Sequence, residues 1–354
     1  MSQKIKVGII GTGNISTYHM SGYNRLNDKC EVTAICDIDE NKVKSYAEKY
    51  SINSYYTDYR KMLANHKLDA VSVCTWNSEH KNAVIAALNS KANVICEKPM
   101  AINSLEAAEM QKAAEENNKL LMMGFVRRFG NDAEILKNFI DNGSLGDIYY
   151  AKATYLRRNG CPGGWFKDIS YSGGGPLIDL GVHVMDLVRY LANNPNPISV
   201  FGATYNNLGL NRAVGSKGYT VEDDSRFKFN VEDLAVAMIK FDNGLTLFVE
   251  ASFNLNIKQD TNVIELFGTK GGAKIDPKIE FYMDMNGRFV DITPHGDTAL
   301  SFTGLFESEI EHFVDCVINK TPCRATGKDG VILMKMIDAI YKSAKEGREV
   351  LIDS

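Results

Sequence analysis

Ile5-Lys6-Val7-Gly8-Ile9-Ile10 runs directly into Gly11-Thr12-Gly13-Asn14-Ile15-Ser16, and a helical pattern follows at once. A β-branched run that stops at glycines and restarts as a helix has few ways to fold. The glycines permit a tight turn and a close main-chain approach. The helix start presents unpaired N–H groups and the positive end of the helix dipole. This is the G-x-G-x-x-G arrangement with Ser16 in the third small position, and it predicts that Gly11, Gly13, Asn14 and Ile15 cradle a pyrophosphate.

The context strengthens the reading. Short apolar runs at 5–10, 32–36, 70–75, 93–96 and 120–125 alternate with amphipathic segments, the pattern of a doubly wound parallel sheet. Asp37 follows the second run, roughly 20 residues after the glycine string, where a carboxylate can bond the adenosine ribose hydroxyls and repel a 2′-phosphate. NAD is therefore expected over NADP, the alternative being that Asp37 merely caps the next helix.

From about residue 148 the pattern shifts to longer strands of period two, at 148–156, 198–205, 234–241, 245–253, 262–267 and 279–283. Asp242-Asn243-Gly244 is a hairpin signal between two of them. Two helices, 308–319 and 330–346, are expected at the end. A chain of 354 residues exceeds the roughly 250–300 at which one core stops growing, so two domains are expected.

Composition removes several classes. Forty Lys plus Arg against 44 Asp plus Glu give a net charge of −4 and no basic stripe, so neither nucleic acid nor membrane is an expected partner. Seven cysteines without a C-x-x-C pair indicate neither a disulfide framework nor a zinc site. No metal-like spacing is read among His19, His66, His80, His295 and His312, or between any of them and a cysteine, and no metal is expected. The first apolar run is too short for a signal core, and the expected place is the cytoplasm.

Asp179, His183 and Asp186 stand at i, i+4 and i+7 behind Gly173-Gly174-Gly175-Pro176, so one helical face carries three ionisable groups. Oxidising a secondary alcohol requires a base for the hydroxyl proton, and His183 suits it because an imidazole ordinarily titrates near about 6.5. Lys98, at the carboxyl end of the fifth strand, can stabilise the developing alkoxide. Asp179 is expected to accept a neighbouring hydroxyl, which favours a polyol over a 2-hydroxy acid. Asp186 is left outside the catalytic set.

Cys96-Glu97-Lys98-Pro99, combined with the glycine string and the Asp179/His183 helix, resembles the Gfo/Idh/MocA oxidoreductases, particularly their inositol and sugar dehydrogenases. The likeness includes Gly124-Phe125-Val126-Arg127-Arg128-Phe129 and Thr326-Gly327-Lys328-Asp329-Gly330, and spans nearly the whole chain. It implies an N-terminal Rossmann domain over 1–127 that binds NAD. A substrate-binding and oligomerisation α/β domain over 128–354 would follow, with a large open, mostly antiparallel sheet and C-terminal helices able to pack back on the first domain. Lys98, Asp179 and His183 match the family's lysine and its D-x-x-x-H pair. Thr75, Asn77, His80, Glu97, Lys98 and Arg127 fall on the cofactor side, with Glu97 near the nicotinamide ribose, and the resemblance places Trp165 and Arg157 on the segment that lines the substrate mouth, core packing being the open alternative. Trp76 departs from the family's frequent proline, which affects the local loop shape.

The resemblance implies a dehydrogenase acting on a ring hydroxyl of a sugar, inositol or glycoside, carbon 3 of a glucoside being one candidate position, and a dimer or tetramer. Two alternatives stay open at this point. One is a redox-neutral enzyme that retains NAD while cleaving glycosides; the other is a non-catalytic regulatory protein on the same fold.

Overall fold

The computed structural model describes residues 4–209, 226–276, 278–299 and 301–353. The chain divides into two compact units. The first comprises Met1–Ala101, Leu105–Phe129 and Leu300–Val331, and the second Ile102–Ser104, Gly130–Ala299 and Ile332–Ser354.

In the first unit, β1 (Ile5–Ile10), α1 (Asn14–Arg25), β2 (Cys30–Cys36), α2 (Glu40–Tyr50), β3 (Tyr55–Tyr56), α3 (Tyr59–Asn65), β4 (Ala70–Val73), α4 (Asn77–Asn89), β5 (Asn93–Glu97), α5 (Ser104–Asn117) and β6 (Leu121–Gly124) follow in sequence. Their sheet is parallel, in the order β3-β2-β1-β4-β5-β6, so the direction of winding reverses beside β1. Helices cover both faces, which is why the central strands read as continuous apolar runs: Ala70, Val71 and Val73 are fully buried, as are Val94, Ile95 and Cys96. Burying each Val or Ile contributes about 1.5–3 kcal/mol.

The second unit contains α6 (Asn131–Asp141), β7 (Ile148–Leu156), the short α7 (Ile169–Ser172), α8 (Val182–Leu191), β8 (Pro197–Tyr205), β9 (Leu234–Phe241), β10 (Thr246–Ser252), β11 (Thr261–Gly268), β12 (Gly271–Ile275), β13 (Glu280–Met285) and β14 (Arg288–Ile292). Beyond it come α9 (Phe302–Asn319), α10 (Gly327–Glu346) and β15 (Val350–Leu351). The second sheet runs β14-β13-β12-β11-β7-β10-β9-β8-β15, with β7 and β10 parallel and the other pairs antiparallel. The predicted hairpin joins β9 to β10, where Gly244 sits at φ 88 and donates its N–H to Phe241 O. One face buries Val249, Ile264, Leu266 and Phe281, while Phe201 and Met238, directly paired across β8 and β9, remain 50% and 45% exposed.

Helix α9 belongs to the first unit and packs on α1. A Cβ at Gly22 would lie 2.6 Å from Ile310, and Tyr18 stacks on Phe306 at 5.1 Å. It starts at Phe302, capped by the Ser301 hydroxyl, which accepts from Gly304 N–H, earlier than the sequence period suggests. Among the described residues no helix is long and apolar enough to cross a membrane.

Candidate active site

The nucleotide cradle lies wholly in the first unit. Gly11 adopts φ 91, and a Cβ on it would sit 2.4 Å from the Cys74 carbonyl oxygen, so no side chain fits at this crossing of β1 and β4. Gly13 is the N-cap of α1; no side chain bonds the helix start and no acid occupies its first turn. The N–H groups and the dipole of that turn are thus left for an anion, as a bound pyrophosphate requires. Ser16 is fully buried and returns its hydroxyl to Gly13 O at 2.6 Å, so a small hydroxyl residue fits the third position. Asn14 is exposed and Ile15 half-buried beside it.

Asp37 closes this loop. Its Oδ2 accepts from Thr12 N–H at 2.7 Å and from the Thr12 hydroxyl at 3.0 Å, and its Oδ1 from Asp39 N–H at 3.1 Å. Burial raises the carboxyl's pKa, but these donors and the Lys42 ammonium at 3.4 Å outweigh it and hold the group below its ordinary value. The cap of α2 is Asp39, which accepts from Lys42 N–H, so capping does not account for Asp37. The neighbouring Ile38 side chain is 76% exposed.

At the end of β5 the Lys98-Pro99 peptide is cis. Lys98 is half-buried, and its main-chain N–H donates to Glu97 Oε2 at 3.2 Å. The Glu97 carboxylate turns inward to His19 Nε2 at 2.9 Å, and His19 Nδ1 meets the Ser72 hydroxyl at 3.1 Å, which in turn meets Tyr23 OH at 2.7 Å. The fully buried His19 ring anchors the acid that precedes Lys98. His80, also buried, faces Pro99 O at 2.8 Å and Thr75 O at 3.2 Å. Its ring is lodged between two carbonyl oxygens, one in the 75–77 turn and one in the Glu97-Lys98-Pro99 turn. Burial lowers its pKa. Thr75 Oγ1 donates to Trp76 O at 3.3 Å, and Asn77, 4% exposed, opens α4. Arg127 is half-buried in the 3-10 turn Val126–Phe129, while Arg128 is buried, its guanidinium bonded to Arg324 O and to Asp329 Oδ2 at 3.2 Å.

In the second unit the expected uninterrupted α-helix through Asp179 is instead a π-helical turn, Leu177–Gly181, followed by α8. Widened turns of this kind are frequent at functional sites. Asp179 is 7% exposed within it, and His183 is half-buried in the first turn of α8. Asp186 is buried near Arg189, whose guanidinium bonds Pro195 O at 3.0 Å and Asn194 O at 3.1 Å.

What pins this segment is Glu232, which sequence periodicity gave no reason to select. Its carboxylate accepts from Gly175 N–H at 2.9 Å, Leu177 N–H at 3.1 Å and Tyr341 OH at 2.9 Å. Burial pushes its pKa up despite those donors. A Cβ on Gly175 would lie 2.2 Å from Glu232 O, which explains a glycine there. Glu232→Ala leaves two buried N–H groups and a hydroxyl without their acceptor, and should destabilise the second unit by about 2–3 kcal/mol. Glu232→Gln, keeping one oxygen, should lose less than half of that; thermal unfolding of both variants measures it.

Arg157 donates to Gly160 O at 2.9 Å and lies 5.4 Å over the Tyr155 ring, which itself packs on the cluster of Cys161, Leu180, Ala251 and Phe253. Trp165 is half-buried and stacks on Phe166 at 3.9 Å in the turn Gly164–Lys167. Both side chains therefore have structural partners of their own. His312 and Cys316 are four residues apart, a spacing that ligands on one helix face can have, and with Cys323 they offer ligand atoms within 4.8 Å of one another.

An uncapped glycine turn at the switch point of a 3-2-1-4-5-6 sheet, with an acid closing β2, defines a dinucleotide-dependent enzyme. The NAD-binding Rossmann-fold profile of the Gfo/Idh/MocA oxidoreductases matches residues 5–125, and the family's C-terminal α/β profile matches residues 137–352. The chain belongs to this family, and its cofactor is NAD.

The chain is 34% identical over 352 residues to the D-glucoside 3-dehydrogenase of Escherichia coli (strain K12), with 99% of this chain and 98% of that protein covered. It is 26% identical over 354 residues to the myo-inositol 2-dehydrogenase of Thermotoga maritima, with 99% of each covered. A levoglucosan dehydrogenase in complex with NADH superposes with a TM-score of 0.88 at 22% identity, over 99% of this chain and 100% of that one, a likeness of fold.

Proposed function

We propose that the chain transfers hydride between NAD and a ring secondary alcohol of a sugar, inositol or glycoside, carbon 3 of a glucoside being the first position to test. The observation that carries this reading is the π-to-α segment that presents Asp179 and His183 behind the Glu232-pinned glycines. NAD, when bound, supplies the hydride acceptor. His183 takes the hydroxyl proton, Lys98 donates a hydrogen bond to the same oxygen, and Asp179 accepts from a neighbouring hydroxyl. Glu97, through the Lys98 N–H, and His80, through Pro99 O, set the lysine's backbone. Gly11, Gly13, Asn14 and Ile15 cradle the pyrophosphate, Asp37 holds the adenosine ribose, and Thr75, Asn77 and Arg127 flank the cofactor.

The half-exposed Phe201–Met238 pair supports association of this sheet face with another copy into a dimer or tetramer. The proposed place is a reducing compartment such as the cytoplasm, where the seven cysteines stay reduced.

The test is NADH formation across inositols, aldoses and glycosides with excess NAD, with NADP in parallel. NADH should accumulate with at least one cyclitol or glucoside, and NADP should be at least about tenfold poorer because Asp37 repels its 2′-phosphate. Glycoside cleavage without NADH accumulation would replace this reading with the redox-neutral one.

A further inference from the structure

The end of α9 and the chain leaving it collect three soft ligands in the first unit. His312 and Cys316 stand one turn apart on one face of α9. The helix stops at Lys320, which adopts φ 60, and the reversal brings Cys323 back to the pair. His312 Nε2 lies 3.4 Å from Cys316 Sγ, and the three ligand atoms fall within 4.8 Å of one another. A tetrahedral zinc ion with its usual Zn–S and Zn–N bonds needs an N···S edge of about 3.6 Å and an S···S edge of about 3.8 Å. The 3.4 Å N···S separation is close to that edge, and Cys323 stands within reach of the same ion.

The Ala325 N–H bonds to Cys323. Phe129 packs against the His312 ring at 5.3 Å and limits how it can turn.

We propose that His312, Cys316 and Cys323 form a binding site for a thiophilic divalent ion, zinc, with water as the fourth ligand. Binding releases the thiol protons of Cys316 and Cys323 to solvent, leaving two thiolates and a neutral imidazole around the ion. Arg324 N–H, which donates to His312 Nε2 at 3.0 Å, gives up that acceptor when the nitrogen takes the metal. Two sulfurs and an imidazole select zinc, cobalt or cadmium over magnesium or calcium. The ion is structural. Ala325, two residues past Cys323, accepts from Met123 N–H at 2.8 Å, and Thr326 bridges Met122, so the site fastens α9 to the segment that covers the β6 edge of the sheet. The inference stands apart from the proposed reaction.

Chelator-treated, freshly reduced full-length protein is titrated with Co²⁺ under anaerobic conditions. The expected result is one equivalent per chain, with the intense visible bands of tetrahedral cobalt and a sulfur-to-cobalt charge-transfer band, both erased by zinc. His312→Ala and Cys323→Ser should each weaken zinc binding at least about tenfold and abolish the zinc-induced rise in unfolding temperature. If Cys323→Ser fails to fold, the half-buried His312→Ala and the wild-type spectrum still decide. Absence of cobalt uptake, an octahedral spectrum, or undiminished binding in His312→Ala would overturn the site. So would reduced protein that takes up no zinc but closes a Cys316–Cys323 disulfide in air.

Discussion

A His183→Ala enzyme is expected to oxidise its polyol about 10²–10⁴-fold more slowly than wild type at neutral pH. The chemistry sets the size of the effect. The hydroxyl proton must leave as the C–H bond breaks, and without the imidazole only solvent remains to take it. The packing cost should be small, because His183 is half-buried while its neighbours Val182 and Val184, 1% and 2% exposed, supply the core contacts of that turn. The loss should therefore appear in kcat, with the affinity for NADH, followed by fluorescence, unchanged. Added imidazole should restore part of the activity. A reduction of no more than about threefold would remove His183 from the role of base.

Local features made the first unit readable. Apolar strands closed by glycine or an acid and followed by helical periods fix a parallel sheet, because periodicity and turn chemistry act over a few residues. Strands that lack such local signals stay hidden for the same reason. β3 and β15 are two residues long, and β12 begins Gly271-Gly272, with little strand propensity of its own. β14 is polar or exposed along most of its length, Phe289 being 96% exposed. These strands exist because an established neighbour offers a ladder, a cause that no local window contains.

The site divides in the same way. Asp179 and His183 announce themselves by spacing, but the π-helical turn depends on acceptors that come from elsewhere. Glu232 reaches Gly175 across 57 residues and Tyr341 across 109. His19 reaches Glu97 across 78. Such partners are polar residues in unremarkable local sequence, and only the fold gives them a task. His312 and Cys316 differ: their four-residue spacing was visible, and what was missing was Cys323, returned to them by the turn at Lys320.

Lys98→Met is expected to lower kcat/KM for the polyol by about 10²–10³-fold, the usual cost of losing one donor to a developing oxyanion. Methionine keeps the length of the stem and removes the charge, so the effect isolates the ammonium. The backbone should hold its place, since Lys98 N–H is engaged by Glu97 and Pro99 O by His80 through main-chain groups that the substitution leaves intact. Part of the loss can fall on the KM for NAD, so kcat at saturating NAD is the deciding quantity. The double variant Lys98→Met/His183→Ala tests whether the two groups serve one oxygen. If they do, lysine stabilises the same negative charge that histidine creates by taking the proton, and once the base is gone the lysine has less charge to stabilise. The double variant should then fall within about tenfold of His183→Ala alone, far short of the product of the two losses. Fully multiplicative losses would mean that the two residues act in independent steps, and that Lys98 contributes through the cofactor rather than through the substrate oxygen.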